Sequence, residues 1–139
     1  MPRIEFYVLP DSDPAKRLKA ACVLAMKAWR AGLPVFLRGS DAEQCATLDQ
    51  LLWAFKNDCF VPHDLVEDDA SSPVVIGRDQ PPASEQGVLI NLDQNLSPHT
   101  EQFARVIEIV NQQPELLQAC RDNFRTYRDR GFAPKRVEL

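Results

Sequence analysis

Two short runs, "PVVIG" (Pro73 to Gly77) and "GVLINL" (Gly87 to Leu92), are apolar at nearly every position. A strand that is apolar on both sides must be covered on both sides, as in a parallel sheet flanked by helices. The rest of the chain supplies the neighbours that such strands need. "RIEFYVL" (Arg3 to Leu9) predicts a first strand. "SDPAKRLKAACVLAMKAWRAG" predicts a helix with Asp13 as N-cap, Pro14 in its first position and Gly32 at its end. "LPVFLR" is the next strand, and "GSDAEQCATLDQLLWAF" a second helix opened by a capping box of Ser40 and Glu43. Ser97-Pro98 is expected to open a third helix, "HTEQFARVIEIVNQ". Pro114-Glu115 opens the last, "ELLQACRDNFRTYRDR", which Gly131 terminates. This alternation predicts a single α/β domain over residues 1–139, with a mostly parallel sheet and helices on both faces.

Composition narrows the function classes. With 45% hydrophobic and 26% charged residues, the chain has the make-up of a globular protein. No apolar run approaches the ~20 residues of a membrane span. The N-terminus, "MPRIEFYVLP", enters a strand directly and lacks the basic segment, apolar block and cleavage site of a secretory signal, so a cytoplasmic location is expected. Cys22, Cys45, Cys59 and Cys120 are widely spaced, and His63 and His99 share no ligand spacing with them. Free buried thiols are expected, and no metal site.

Parallel α/β folds often bind nucleotides, so a divergent nucleotide-binding enzyme is the alternative to weigh. The loop after the first strand would then carry glycines that let backbone N–H groups approach a phosphate. Here it is "PDSDPAKR", with no glycine and two acids. The next such turn, "RGSDAEQ", has one glycine and no G-K-[ST]. His63 could pair with Cys59 or Asp64, but a single histidine in a proline-bounded loop does not assemble nucleophile, base and oxyanion donor. Glu67, Asp68 and Asp69 lack the offsets of a calcium loop. The sequence therefore predicts no catalytic residues and no cofactor.

Two clusters remain. "CRDNFRTYRDRGF" (Cys120 to Phe132) packs four arginines and three aromatics into thirteen residues of a chain with net charge −4. Residues 114–139 hold six Lys and Arg against four Asp and Glu, so the C-terminal end is the basic part of an acidic molecule. On a helix, Arg121, Phe124, Arg125 and Arg128 form one stripe at i, i+3, i+4 and i+7, with Leu117 one turn earlier. Guanidinium groups beside an apolar slot suit a short acidic peptide ending in an apolar residue. Direct nucleic-acid binding would call for a broader basic field. The second cluster, "LLWAFKNDCFVPHDL", crowds Trp53, Phe55 and Phe60 around a helix exit; core packing would account for one or two of them, and a protein-binding patch for all three.

"FYVLPDS", "AMKAWRAGLPVFL", "LDQLLWAF", "FVPHDL" and "RDNFRTYRDRGF" together resemble the chi subunit of bacterial DNA polymerase III holoenzyme, over nearly the whole chain. The specific combination is W-x(6)-F-V-P-H, from Trp53 to His63, joined to R-x(5)-Y-R-x-x-G-F, from Arg121 to Phe132. The resemblance implies a Rossmann-like α/β fold without a phosphate-binding loop and without known catalysis. It implies a place in the clamp-loader assembly through the psi subunit, and a second partner outside that assembly: the acidic C-terminal tail of single-stranded DNA-binding protein, which ends in an aromatic residue with a free carboxylate. The family's tail-binding arginine corresponds to Arg121, and flanking positions fall on Val110, Leu117, Phe124 and Arg125. Trp53 and Phe60 match the patch used for psi and, in some members, for an accessory helicase. The chain departs from the pattern where Leu117 replaces a lysine and Phe124 a tyrosine found in a relative. The tail site is therefore expected to be less electrostatic and more apolar, with Arg128 and Arg130 as the candidates to compensate.

Overall fold

A computed structural model of the chain describes residues 2–54, 61–83 and 86–139. Its strands are β1 (Arg3–Val8), β2 (Val35–Arg38), β3 (His63–Leu65), β4 (Val74–Gly77), β5 (Val88–Asn91), β6 (Arg105–Val110) and β7 (Lys135–Glu138). Its helices are α1 (Pro14–Arg30), α2 (Ala42–Ala54) and α3 (Pro114–Asp129). All seven strands join one sheet in the order β3-β4-β2-β5-β6-β1-β7, and every pairing is parallel.

Side chains alternate between two faces of the sheet, and each face has its own core. On one face Val35, Leu37, Val74, Ile76, Val88, Ile90, Ile107 and Ile109 pack beneath α1 and α2, which contribute Ala21, Cys22, Ala25, Leu48 and Leu52. On the other, Ile4, Phe6, Phe36, Val75, Leu89 and Val106 pack with Leu116 and Tyr127 of α3. Helices on both faces thus explain why the central strands are apolar throughout.

The helix ends follow local chemistry. Asp13 Oδ1 accepts the backbone N–H of Ala15 at 2.9 Å and caps α1. Gly131 ends α3 with φ 92. Its N–H donates to the Arg128 carbonyl and the Phe132 N–H to the Tyr127 carbonyl, while the Phe132 ring meets Tyr127 at 5.9 Å. This glycine-capped motif, closed by an apolar contact, turns the chain from α3 into β7.

Two predicted elements are corrected. The expected third helix over residues 99–112 is a single 3-10 turn, Thr100–Gln102, followed by strand β6. Phe103, Val106, Ile107 and Val110 fall at helical spacing, which is what the sequence pattern reported. However, the run is β-branched, and it lies between β5 and β1 where both of its sides are buried. Secondly, the cap of α2 sits one residue later than the predicted Ser40 and Glu43 pair. Asp41 Oδ1 accepts the Gln44 N–H at 2.8 Å, and Gln44 Oε1 accepts the Ser40 N–H at 2.7 Å. Strands β3 and β7, the two edges, carry charged or polar residues and gave no apolar signal.

Candidate functional site

The edge formed by α3, β1 and β7 holds an open groove of about 660 Å³, lined by Phe6, Cys120, Arg121, Phe124, Arg125, Arg128, Asp129 and Arg136. Helical periodicity builds it. Leu116 and Tyr127 point into the sheet and are buried, whereas Arg121, Arg125 and Arg128 stand on the exposed flank of the same helix. Phe124 lies between these sets, half-buried, with its ring 5.4 Å from Phe6 of β1. The groove therefore has an aromatic floor and guanidinium walls. Four arginines face one aspartate along it.

Those three helix arginines are unspent. Among the described residues, no side-chain hydrogen bond or ion pair engages Arg121, Arg125 or Arg128. Arg136, reaching in from β7, bonds Glu138. Cys120 is half-buried in the groove, and burial pushes its thiol pKa up, which disfavours the nucleophilic thiolate. The arrangement can fork carboxylates and enclose an apolar ring.

Sequence reasoning brought Arg121, Phe124, Arg125 and Arg128 to this surface, and the groove contains all four. Val110 instead lies in the core at 5% exposure, and Leu117 packs half-buried against the same core. Neither lines the groove, nor does Arg130. Phe6, Cys120, Asp129 and Arg136 were missed. Arg136 reaches the groove only because β7 pairs beside β1, and "KRVE" carries no alternating apolar pattern that would have signalled the strand.

A second surface lies at the opposite edge. Trp53, in the last turn of α2, is 60% exposed. Its indole meets the buried imidazole of His63 edge-on, with ring centroids 4.9 Å apart. His63 Nδ1 donates to the Val61 carbonyl at 2.8 Å, and Nε2 lies 3.2 Å from Asp49 Oδ1. The histidine is thus a buried support for an exposed tryptophan. Phe60, Phe55 and Cys59 lie outside the described residues.

The carboxyl ends of the strands, where an open α/β sheet takes a ligand, are occupied from within. Buried Arg17 donates to the carbonyls of Ile109 and Leu92, each at 2.8 Å. Arg38 donates to Asn91 Oδ1 at 3.0 Å and to Asp79 Oδ1 at 2.8 Å. Asn91 Nδ2 and the Tyr127 hydroxyl donate to Glu108 at 2.9 and 2.7 Å. Burial raises the Glu108 carboxyl to about 7, partly offset by those bonds from Tyr127 and Asn91. At the start of α1, Asp13 caps the helix and Asp11 pairs with Lys16 at 3.1 Å, so acids stand where a phosphate would bind. Among the described residues, no group of three His, Cys, Asp or Glu side chains could hold a metal ion. No described helix is long and apolar enough to cross a membrane.

The fold and its surfaces describe an all-parallel α/β domain with internally bonded strand ends, a cationic groove at one edge and an exposed tryptophan at the other. The chain belongs to the chi subunit family of DNA polymerase III. The family model described as "DNA polymerase III chi subunit, HolC" matches residues 1–135. The chain is 45% identical over 132 residues to the DNA polymerase III subunit chi of Pseudomonas aeruginosa, covering 95% of this chain and 93% of that one. It is 30% identical over 139 residues to the subunit chi of Escherichia coli, covering 95% of each. With the subunit chi of Haemophilus influenzae it shares 26% identity over 133 residues, covering 92% of this chain and 91% of that one. By the name of its family the chain is an accessory subunit in DNA replication.

Proposed function

We propose that the chain is a non-catalytic adaptor of the DNA polymerase III clamp-loader assembly in the cytoplasm. One surface, centred on Trp53 and Phe60, takes the psi subunit. The other, centred on Arg121, Phe124, Arg125 and Arg128, takes the acidic C-terminal tail of single-stranded DNA-binding protein. An accessory helicase that used the Trp53 patch would compete with psi. The observation that carries this reading is the separation of the two surfaces. β3 and β7 are opposite edges of a seven-stranded sheet, and six spacings of about 4.8 Å set them roughly 29 Å apart. In addition, α2 and α3 lie on opposite faces. An adaptor needs this arrangement, because each partner must leave the other's site open.

Co-purification with psi and calorimetric titration of a tail peptide test the reading together. Wild type is expected to bind both. Trp53→Ala should lose about 2 kcal/mol of psi affinity, or roughly thirtyfold, and leave the peptide unaffected. Phe60→Ala is expected to do the same. If both variants fold and hold psi at wild-type strength, the patch assignment fails. A nucleotide titration run alongside should give no heat, and saturable nucleotide binding would favour an enzyme instead.

A further inference from the structure

The strand wall of the groove carries a cation with a distinct environment. Arg136 of β7 lines the groove together with Arg121, Arg125 and Arg128 of α3, but it alone of the four holds a carboxylate within the described residues. Its Nε donates to Glu138 Oε1 at 2.6 Å. Residues two apart on a strand share a side, so Glu138 faces the groove side of β7 as Arg136 does.

This pair contributes little to the fold. Its side chains are 62% and 66% exposed, so water screens most of the attraction between them. The pairing of β7 with β1, from Lys135 to Glu138, is made by the backbone. What the pair does change is the electrostatics of the groove, because one of four arginines is partly neutralised by a neighbour on its own strand.

Resting on the reading of the groove as an acidic-peptide site, we propose that Arg136 is a specificity residue for a second carboxylate of the tail, upstream of the terminal one. Glu138 is its intramolecular competitor. A peptide carboxylate that reaches Arg136 exchanges for Glu138 rather than filling an open position. A ligand with only its terminal carboxylate has no reason to make the exchange and stays on the α3 arginines. The groove therefore discriminates by the number of carboxylates as well as by the apolar end group.

The test uses the full chain and two synthetic peptides ending in phenylalanine with a free carboxylate. One carries two aspartates upstream, and in the other these are asparagines. Glu138→Gln should tighten the diacidic peptide about threefold, the range of an exposed ion pair. Arg136→Ala should weaken it by a similar factor, and neither change should move the neutral-bodied peptide. In the Arg136→Ala background Glu138→Gln should have no further effect, since the competitor then has nothing to compete for. An equal gain from Glu138→Gln with and without Arg136 would overturn the proposal, reducing Glu138 to a general repulsive charge. If diacidic binding depends on Arg121 but not on Arg136 or Glu138, the inference fails while the groove assignment stands. If wild type binds neither peptide, both fail.

Discussion

Arg121 bears most of the proposed chemistry of the groove at the scale of a single residue. It is exposed, it has no ion pair among the described residues, and it lies beside the half-buried Phe124. A charge-assisted hydrogen bond contributes about 1.5–3 kcal/mol, so Arg121→Ala should weaken a tail peptide by roughly 10- to 150-fold. Arg121→Lys should recover only part of the loss, because an ammonium keeps the charge but not the planar fork. Both residues are good helix formers, so circular dichroism should be unaltered. Equal peptide affinities for wild type and Arg121→Ala would remove Arg121 from the site. Raising salt should loosen the peptide as the exposed charges are screened over about 8–10 Å, leaving the apolar contribution of Phe6 and Phe124. Indifference to salt would leave the arginines without a role. The helix stripe was legible in the sequence because helical spacing sets which side chains share a flank. Arg136 was not legible, since its place depends on β7 lying beside α3, a contact that no local pattern encodes.

The element that decides the groove is α3, held by its two ends and by the polar cluster beneath it. Tyr127 bonds Glu108 of β6, which Asn91 ties to Arg38, so one chain of side chains joins α3 to β6, β5 and β2. The folded chain holds the Glu108 proton more tightly than the ordinary value of 4.5, up to about 7. Its stability contribution is therefore fully present below about pH 4.5 and is lost as pH rises through about 7. That loss amounts to about 3 kcal/mol. Glu108→Gln, which cannot ionise, should flatten the decline in denaturant midpoint between about pH 5 and 8. An unchanged slope would mean that Glu108 titrates normally. At the C-terminal end, Gly131 has φ 92, where a Cβ is strained, so Gly131→Ala should cost about 1–2 kcal/mol in a denaturant melt. No loss would mean that the turn tolerates a side chain. Proline in the first turn and a positive-φ glycine just past the last made α1 and α3 readable. β6 was misread because Phe103, Val106, Ile107 and Val110 satisfy a helical period and a buried strand alike, and only its neighbours β5 and β1 decide between them.

For the whole molecule, the proposed adaptor role requires that the chain bind two partners at once, at opposite edges of one sheet. Parallel packing was legible because β2, β4 and β5 are buried from end to end. The positions of the edges were not, because strand order is set by crossovers rather than by local sequence. That order gives the two surfaces no shared element: Trp53 belongs to α2, and the groove to α3, β1 and β7. Occupying one should leave the other unchanged, with affinities independent to within about twofold, as for sites without common partners. The most direct measurement is titration of labelled tail peptide into the chain alone and into the chain saturated with psi, with size-exclusion chromatography of the mixture. We predict one complex containing all three components and the same peptide affinity in both titrations. Displacement of psi by the peptide, or failure of the psi-bound chain to take up the peptide, would contradict the account.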